Sequence, residues 1–206
     1  MIKYIVFDLG GVLITLDPIA GDKAFKESVG YNDFISIFDP YLPKGIFHKM
    51  ESGAIDASGF REGIREMAGL NAGDDVINLA LNKILKEIPK YKVDLLAALK
   101  ERYKLYVLSN TNPIAMTKIQ EFFNAHGYSM DSLFEKLFLS YQMRVTKPDP
   151  LIYEMVSRDI THDLSEILFI DDSPANIEAA ARVGFEVLLY DPADDLAEAV
   201  MERLKI

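Results

Sequence analysis

Cysteine is absent, which excludes disulfides, thiolate metal sites and a cysteine nucleophile. No apolar run is long enough to cross a bilayer. Met1 leads straight into Lys3-Tyr4-Ile5-Val6-Phe7, without the charged, apolar and small-residue segments of a secretion signal, so a cytoplasmic location is expected. Positive charge is also in short supply. With a formal net charge of -10, the chain lacks the clustered Lys and Arg that binding to nucleic acid or an anionic membrane needs, and neither partner is expected. What remains is a mixture of apolar and charged residues over 206 positions, enough for one sizeable core or one core with a small appended domain.

Four apolar, β-branched or aromatic runs read as buried strands: Tyr4 to Phe7, Leu105 to Leu108, Ile167 to Ile170 and Glu186 to Tyr190, with a fifth at Leu137-Phe138-Leu139. Helical patterns lie between them. Asn112-Pro113, Asp149-Pro150, Ser173-Pro174 and Asp191-Pro192 each set a capping residue before a proline suited to a first helical turn. Such alternation implies an α/β fold, a doubly wound parallel sheet with helices on both faces and ligands at the carboxyl ends of its strands.

Residues 18–89 break the alternation, since they hold several glycines and no convincing strand. Four short helices are predicted there, with apolar faces at Ala24, Phe25 and Val29; at Phe34, Ile35 and Phe38; at Phe60, Ile64 and Met67; and from Val76 through Ile77, Ala80, Leu81 and Ile84 to Leu85. A small helical bundle inserted into an α/β core of residues 1–17 and 90–206 is the expected organisation. Leu95, Leu96, Leu99 and Tyr103 mark the helix that returns to the sheet. Phe25, Phe34, Phe38, Phe47 and Phe60 are read mainly as the insertion's own core.

Chemistry gathers at the strand ends. Asp8 follows the first strand and precedes Leu9-Gly10-Gly11. Ser109-Asn110-Thr111-Asn112 ends the second strand at a helix start, where a hydroxyl and free N–H groups make an anion seat. Lys147 stands among prolines in Thr146-Lys147-Pro148-Asp149-Pro150, and Asp171-Asp172 end the strand from Ile167. Adjacent carboxylates repel unless a cation or solvent relieves them. Taken singly, each has a structural explanation: a turn, a helix cap, a solvated lysine, a surface pair. Together they place an Asp, a Ser, a Lys and an Asp pair at successive ends of one sheet.

Phe7-Asp8-Leu9-Gly10-Gly11-Val12, Leu108-Ser109-Asn110-Thr111-Asn112, Lys147-Pro148 and Ile170-Asp171-Asp172-Ser173 with Asn176-Ile177 resemble the four ordered motifs of the haloacid dehalogenase-like superfamily. The helical insertion sits where that superfamily carries a four-helix cap. The resemblance implies a Mg²⁺-dependent hydrolase that removes phosphate from a small phosphorylated metabolite through an aspartyl-phosphate on Asp8. It also implies Mg²⁺ held by Asp8, the Gly10 carbonyl and Asp172, with Asp171 a ligand directly or through water. Ser109, the Asn110 backbone and Lys147 would hold the phosphoryl oxygens.

Most phosphatases of the superfamily have a second Asp two residues after the nucleophile, to protonate the leaving group and then activate water. Here that position is Gly10. A subgroup with Gly there, including phosphatases of sugar 1-phosphates, shares the Asp-Leu-Gly opening and a similar Leu-Ser-Asn-Thr-Asn, and the chain resembles it most. Asp17 and His48 are candidate substitutes for the missing acid. Glu51-Ser52-Gly53 resembles a turn between cap helices and is given a structural role. Arg144 is a second departure, since related sequences often have Gly three residues before the motif lysine. A dehalogenase is disfavoured because it has no use for the Asp pair, and a phosphomutase because it asks more of the missing acid. From a different class, the alternative is a non-catalytic protein that keeps the phosphate seat.

Overall fold

The computed structural model describes residues 1–35 and 45–205. Five parallel strands form the central sheet: β1 (Tyr4–Phe7), β4 (Lys104–Ser109), β5 (Lys136–Leu139), β6 (Ile167–Asp171) and β7 (Glu186–Leu189), in the order β5-β4-β1-β6-β7. These are the five predicted strands. A short antiparallel ribbon pairs β2 (Thr15–Leu16) with β3 (Leu85–Glu87).

Side-chain alternation along the strands builds two cores, one on each face of the sheet. Ile5 and Phe7, Leu105 and Val107, and Leu168 and Ile170 pack with Val93, Leu96 and Leu99 of α5 (Lys90–Lys100) and Ile119 and Phe123 of α6 (Pro113–Ala125). Val6, Leu108 and Phe169 face the other way, onto Ile152, Tyr153 and Val156 of α9 (Pro150–Ile160) and Ala180 of α10 (Pro174–Val183). Two short helices, α7 (Met130–Leu133) and α8 (Ser140–Met143), flank β5. The last helix, α11 (Leu196–Leu204), adds Leu196 and Val200 to the first core.

Between β2 and β3 lie α1 (Pro18–Ala24), a π-helical turn at Phe25–Val29, α2 (Ile46–Glu51), α3 (Ala57–Ala68) and α4 (Asp74–Asn82). Their apolar faces close a third cluster around Phe25, Phe34, Met50, Phe60, Ile64 and Ile77. Phe25 and Phe34 stack with ring centroids 3.9 Å apart, and the cluster rests on Ile114 at the start of α6. The expected inward faces are therefore largely present. Three positions differ: Ile35, Met67 and Val76 are exposed. Phe38 lies outside the described residues.

Two expectations require correction. No strand was expected in residues 18–89, yet Leu85 leaves the helical pattern and pairs with Leu16. The helix stops at Asn82 because Lys83 and Ile84 turn out of it, and the Ile84 carbonyl then accepts from Asp17 N at 2.7 Å. Asp191-Pro192 does not open a helix: Asp191 accepts from Ala193 N in a turn, and Asp195 caps α11 through Ala197 N and Glu198 N. The other proline-led starts hold, with Asn112 and Asp149 accepting from Ala115 N and Leu151 N at 2.9 Å each.

Candidate active site

The chain runs from β1 to β4 and β5 on one side, then returns to β6 and β7 on the other, so the order reverses at β1. A crevice opens at such a reversal, above the carboxyl ends of the strands. Asp8 stands there, with Ser109 at the end of β4 and Asp171 at the end of β6 on either side. The cleft above them encloses about 710 Å³ and is also lined by Lys147, Asp172 and, from the helical insertion, Phe47, His48 and Glu51.

Lys147 is the electrostatic centre. Its buried Nζ lies 2.6 Å from Asp171 Oδ2 and 2.9 Å from Asp8 Oδ1, and donates to the Leu108 carbonyl at 3.1 Å. Burial alone would lower its pKa, but the Asp171 and Asp8 charges outweigh that and hold the ammonium above its usual value. Asn110 fixes the lysine's backbone reciprocally, its amide donating to the Lys147 carbonyl at 2.9 Å and its Oδ1 accepting from Lys147 N at 2.8 Å. The Asn110 side chain is thereby committed to scaffolding. The Lys147–Pro148 peptide is cis.

Asp8 is raised to about 6, first by burial and then by Asp171, against the lowering effect of Lys147. Among the described residues, the buried Asp8 Oδ1 is held by the Lys147 ammonium alone. Asp171 is saturated by contrast: Oδ2 takes Lys147, and Oδ1 accepts from Ser173 N at 2.8 Å and Asn176 Nδ2 at 2.9 Å. Asp172 is pushed upward by burial and by Asp171. One carboxylate oxygen from each of Asp8, Asp171 and Asp172 lies within 4.8 Å of the others. Three converging carboxylates with a single ammonium, Lys147, to offset them fit a hard divalent cation.

Gly11, at φ +78°, closes the site from below: a Cβ there would stand 2.0 Å from Asp172 Oδ2. Gly10 differs, because its backbone does not demand glycine and an added Cβ would meet only the mobile end of Leu16 at 3.2 Å. Ser109 is buried, with its hydroxyl held only by a long 3.4 Å bond to the Asn110 carbonyl.

The family model of haloacid dehalogenase-like hydrolases matches residues 2–184. The chain belongs to that family. D-ribitol-5-phosphate phosphatase of Bacteroides thetaiotaomicron is 35% identical over 187 residues, covering 90% of both chains. A haloacid dehalogenase-like enzyme from the same organism, solved with magnesium and inorganic phosphate, superposes with a TM-score of 0.89 at 39% identity, covering 95% of this chain and 97% of the other. A predicted hydrolase of the family from Porphyromonas gingivalis reaches a TM-score of 0.92 at 35% identity, over 100% and 99% of the two chains.

All seven predicted site residues converge on this cleft or, for Asp171, directly behind it. The two candidate substitute acids separate. Asp17 caps α1, accepting from Ala20 N at 2.9 Å, and does not line the cleft, whereas His48 does. Within Glu51-Ser52-Gly53, given a structural role, Glu51 also lines the cleft. Gly53 is structural, at φ +67° with an added Cβ only 2.3 Å from the Tyr141 carbonyl, but the Glu51 side chain faces Asp8's cleft. His48 and Glu51 are three apart on one helix and so share a face, a signal that the sequence already carried. Arg144 occupies a left-handed conformation at φ 58°, the region that suits the glycine of related sequences.

Proposed function

We propose that the chain is a Mg²⁺-dependent phosphoric monoester hydrolase acting on a sugar or alditol phosphate, with Asp8 as its nucleophile. The observation that carries this reading is the convergence of the buried Asp8 with Asp172 and Lys147 at the floor of the switch-point cleft. Similarity to a phosphatase of D-ribitol 5-phosphate, and to an enzyme solved with magnesium and phosphate, supports the substrate class and the metal.

In this reading Asp8 attacks phosphorus, the substrate alcohol leaves, and water then releases phosphate from the aspartyl group. Mg²⁺, held by Asp8, the Gly10 carbonyl and Asp172, would neutralise the meeting of carboxylate and phosphate. Asp172 is the better direct ligand of the pair, since both oxygens of Asp171 already accept hydrogen bonds. Lys147 offsets charge on the phosphoryl oxygens, while the Ser109 hydroxyl and Asn110 N–H seat them. Residues 1–17 and 90–206 serve as the catalytic core, and 18–89 as a cap that covers the substrate and selects it. A phosphorylated metabolite as substrate suits a cytoplasmic site of action, and no described helix is long and apolar enough to cross a membrane.

The direct test is a panel of sugar phosphates, alditol phosphates and an aryl phosphate, assayed with Mg²⁺ and again with excess EDTA. Turnover that EDTA removes and Mg²⁺ restores is expected. Phosphate binding with no turnover of any member would instead favour the non-catalytic reading that Gly10 raises.

Gly11→Ala provides a local check. Its Cβ cannot coexist with the Asp172 carboxylate where that group stands, and the positive φ adds strain. Expected are a Mg²⁺ affinity weaker by about 10-fold or more and a matching loss of activity at low Mg²⁺, measured by metal titration. Wild-type Mg²⁺ dependence in this variant would remove Asp172 from the metal site.

A further inference from the structure

The residue expected to protonate the leaving group is missing at position 10, yet the cleft is not without a second carboxyl. Glu51 ends α2, the short helix of the insertion that overhangs Asp8. Its position is fixed by the core rather than by the insertion alone. Ser140 Oγ donates to the Glu51 carbonyl at 2.6 Å and accepts from Thr111 N at 3.0 Å. One hydroxyl thus ties the end of α2 to the loop that carries Ser109 and Asn110. Gly53, pressed against the Tyr141 carbonyl, secures the chain on the far side of the same turn. The Glu51 carboxyl has no hydrogen-bond or ion-pair partner among the described residues, and it lines the cleft near enough to Asp8 and Lys147 for their charges to act on it.

We infer that Glu51 is the proton carrier of the reaction, delivering a proton to the departing substrate oxygen and taking one back from the attacking water. The inference rests on the phosphatase reading above. In the first step an Asp8 oxygen bonds to phosphorus as the bond from phosphorus to the ester oxygen breaks. That bond's electron pair stays on the ester oxygen, which takes the Glu51 proton. In the second step water oxygen bonds to phosphorus, the bond to Asp8 breaks, and the water's proton passes to the Glu51 carboxylate. Glu51 returns protonated and Asp8 returns ionised, so the cycle needs no other reactant than water.

The charge state suits the task. Burial first, and the Asp8 charge second, raise Glu51 to about 8 against the opposing effect of Lys147. His48, one turn earlier on the same face, is the rival donor.

Glu51→Gln keeps the side chain's size and removes the exchangeable proton. With an alditol phosphate, whose alkoxide is a poor leaving group, turnover is expected to fall by about 100-fold or more. With p-nitrophenyl phosphate, whose leaving group needs no proton, the variant should still release a burst of one nitrophenol per site and then turn over slowly, because water activation is lost. Adding Gly10→Asp to Glu51→Gln, at a position with room for a side chain, should restore at least 10-fold of the alditol phosphate rate.

Three results would overturn the inference while leaving the phosphatase reading intact: unchanged alditol phosphate turnover in Glu51→Gln, equal loss of burst and turnover, or the same pattern produced by His48→Ala instead. Wild-type protein that hydrolyses neither substrate would overturn both. Should Glu51→Gln melt well below the wild type, Glu51→Asp serves in its place, with a smaller loss on the alditol phosphate and a retained burst expected.

Discussion

Replacing Asp8 by Asn is expected to abolish phosphate release, a loss of about 10⁴-fold or more, without unfolding the protein. No other described carboxylate stands where Asp8 does, at the end of the central strand and facing the cleft. The amide keeps the volume and cannot attack phosphorus. Stability should move the other way. In the metal-free protein the Asp8 and Asp171 carboxylates surround one ammonium, and burial opposes the Asp8 charge. Removing that charge leaves Lys147 and Asp171 as a balanced pair. The metal-free variant should therefore melt at or above the wild-type temperature, and should gain less from added Mg²⁺. Retained activity in a folded Asp8→Asn protein would show that another group attacks.

Lys147→Met is expected to damage stability and activity together. The ammonium is the only cation paired with either Asp8 or Asp171 among the described residues. Its removal strands buried charge, at a cost of about 3–5 kcal/mol, which for a chain of this size lowers Tm by about 10 °C. Without Lys147, which lowers both Asp8 and Asp172, these groups rise further above their unfolded values. A carboxylate with a raised folded pKa takes up protons on folding, so it destabilises most at high pH and least once the pH has fallen below that pKa. The deficit measured at pH 7 should therefore shrink at pH 5, and Mg²⁺ should shrink it at pH 7. A variant as stable as the wild type at pH 7 without metal would contradict the charge balance described for the site.

The sheet was legible because its strands are continuous apolar runs whose alternate residues feed two separate cores. The strand-end motifs were legible because a parallel sheet with one reversal point leaves little choice about where its carboxyl ends meet. Leu85 was misread for a local reason. Leu81, Ile84 and Leu85 continue a helical spacing, and only the partner strand at Thr15-Leu16, some 70 residues away, draws Leu85 into a ribbon. Such two- and three-residue strands carry too few residues to show a period.

The place of Glu51 on the cleft was not legible for a different reason. A helix end reads the same in sequence whether its carboxyl faces solvent or a catalytic cleft. What decides the matter is the docking of α2 on Ser140, a contact spanning 89 positions. No helix was expected over residues 46–51, so the spacing of His48 and Glu51 was not read as one face. Gly10 and Glu51 are informative together: the core omits a carboxyl at a position with room for one, and the insertion supplies a carboxyl across the same cleft.

The central claim is that phosphate passes through Asp8. Rapid mixing with a turned-over substrate and Mg²⁺, quenching within one turnover and reducing with borohydride converts an aspartyl-phosphate to homoserine, which peptide mass mapping locates. Homoserine at position 8, absent without substrate and absent in Asp8→Asn, is the expected result. Unmodified Asp8 under quench conditions that trap phosphate on another residue would contradict it.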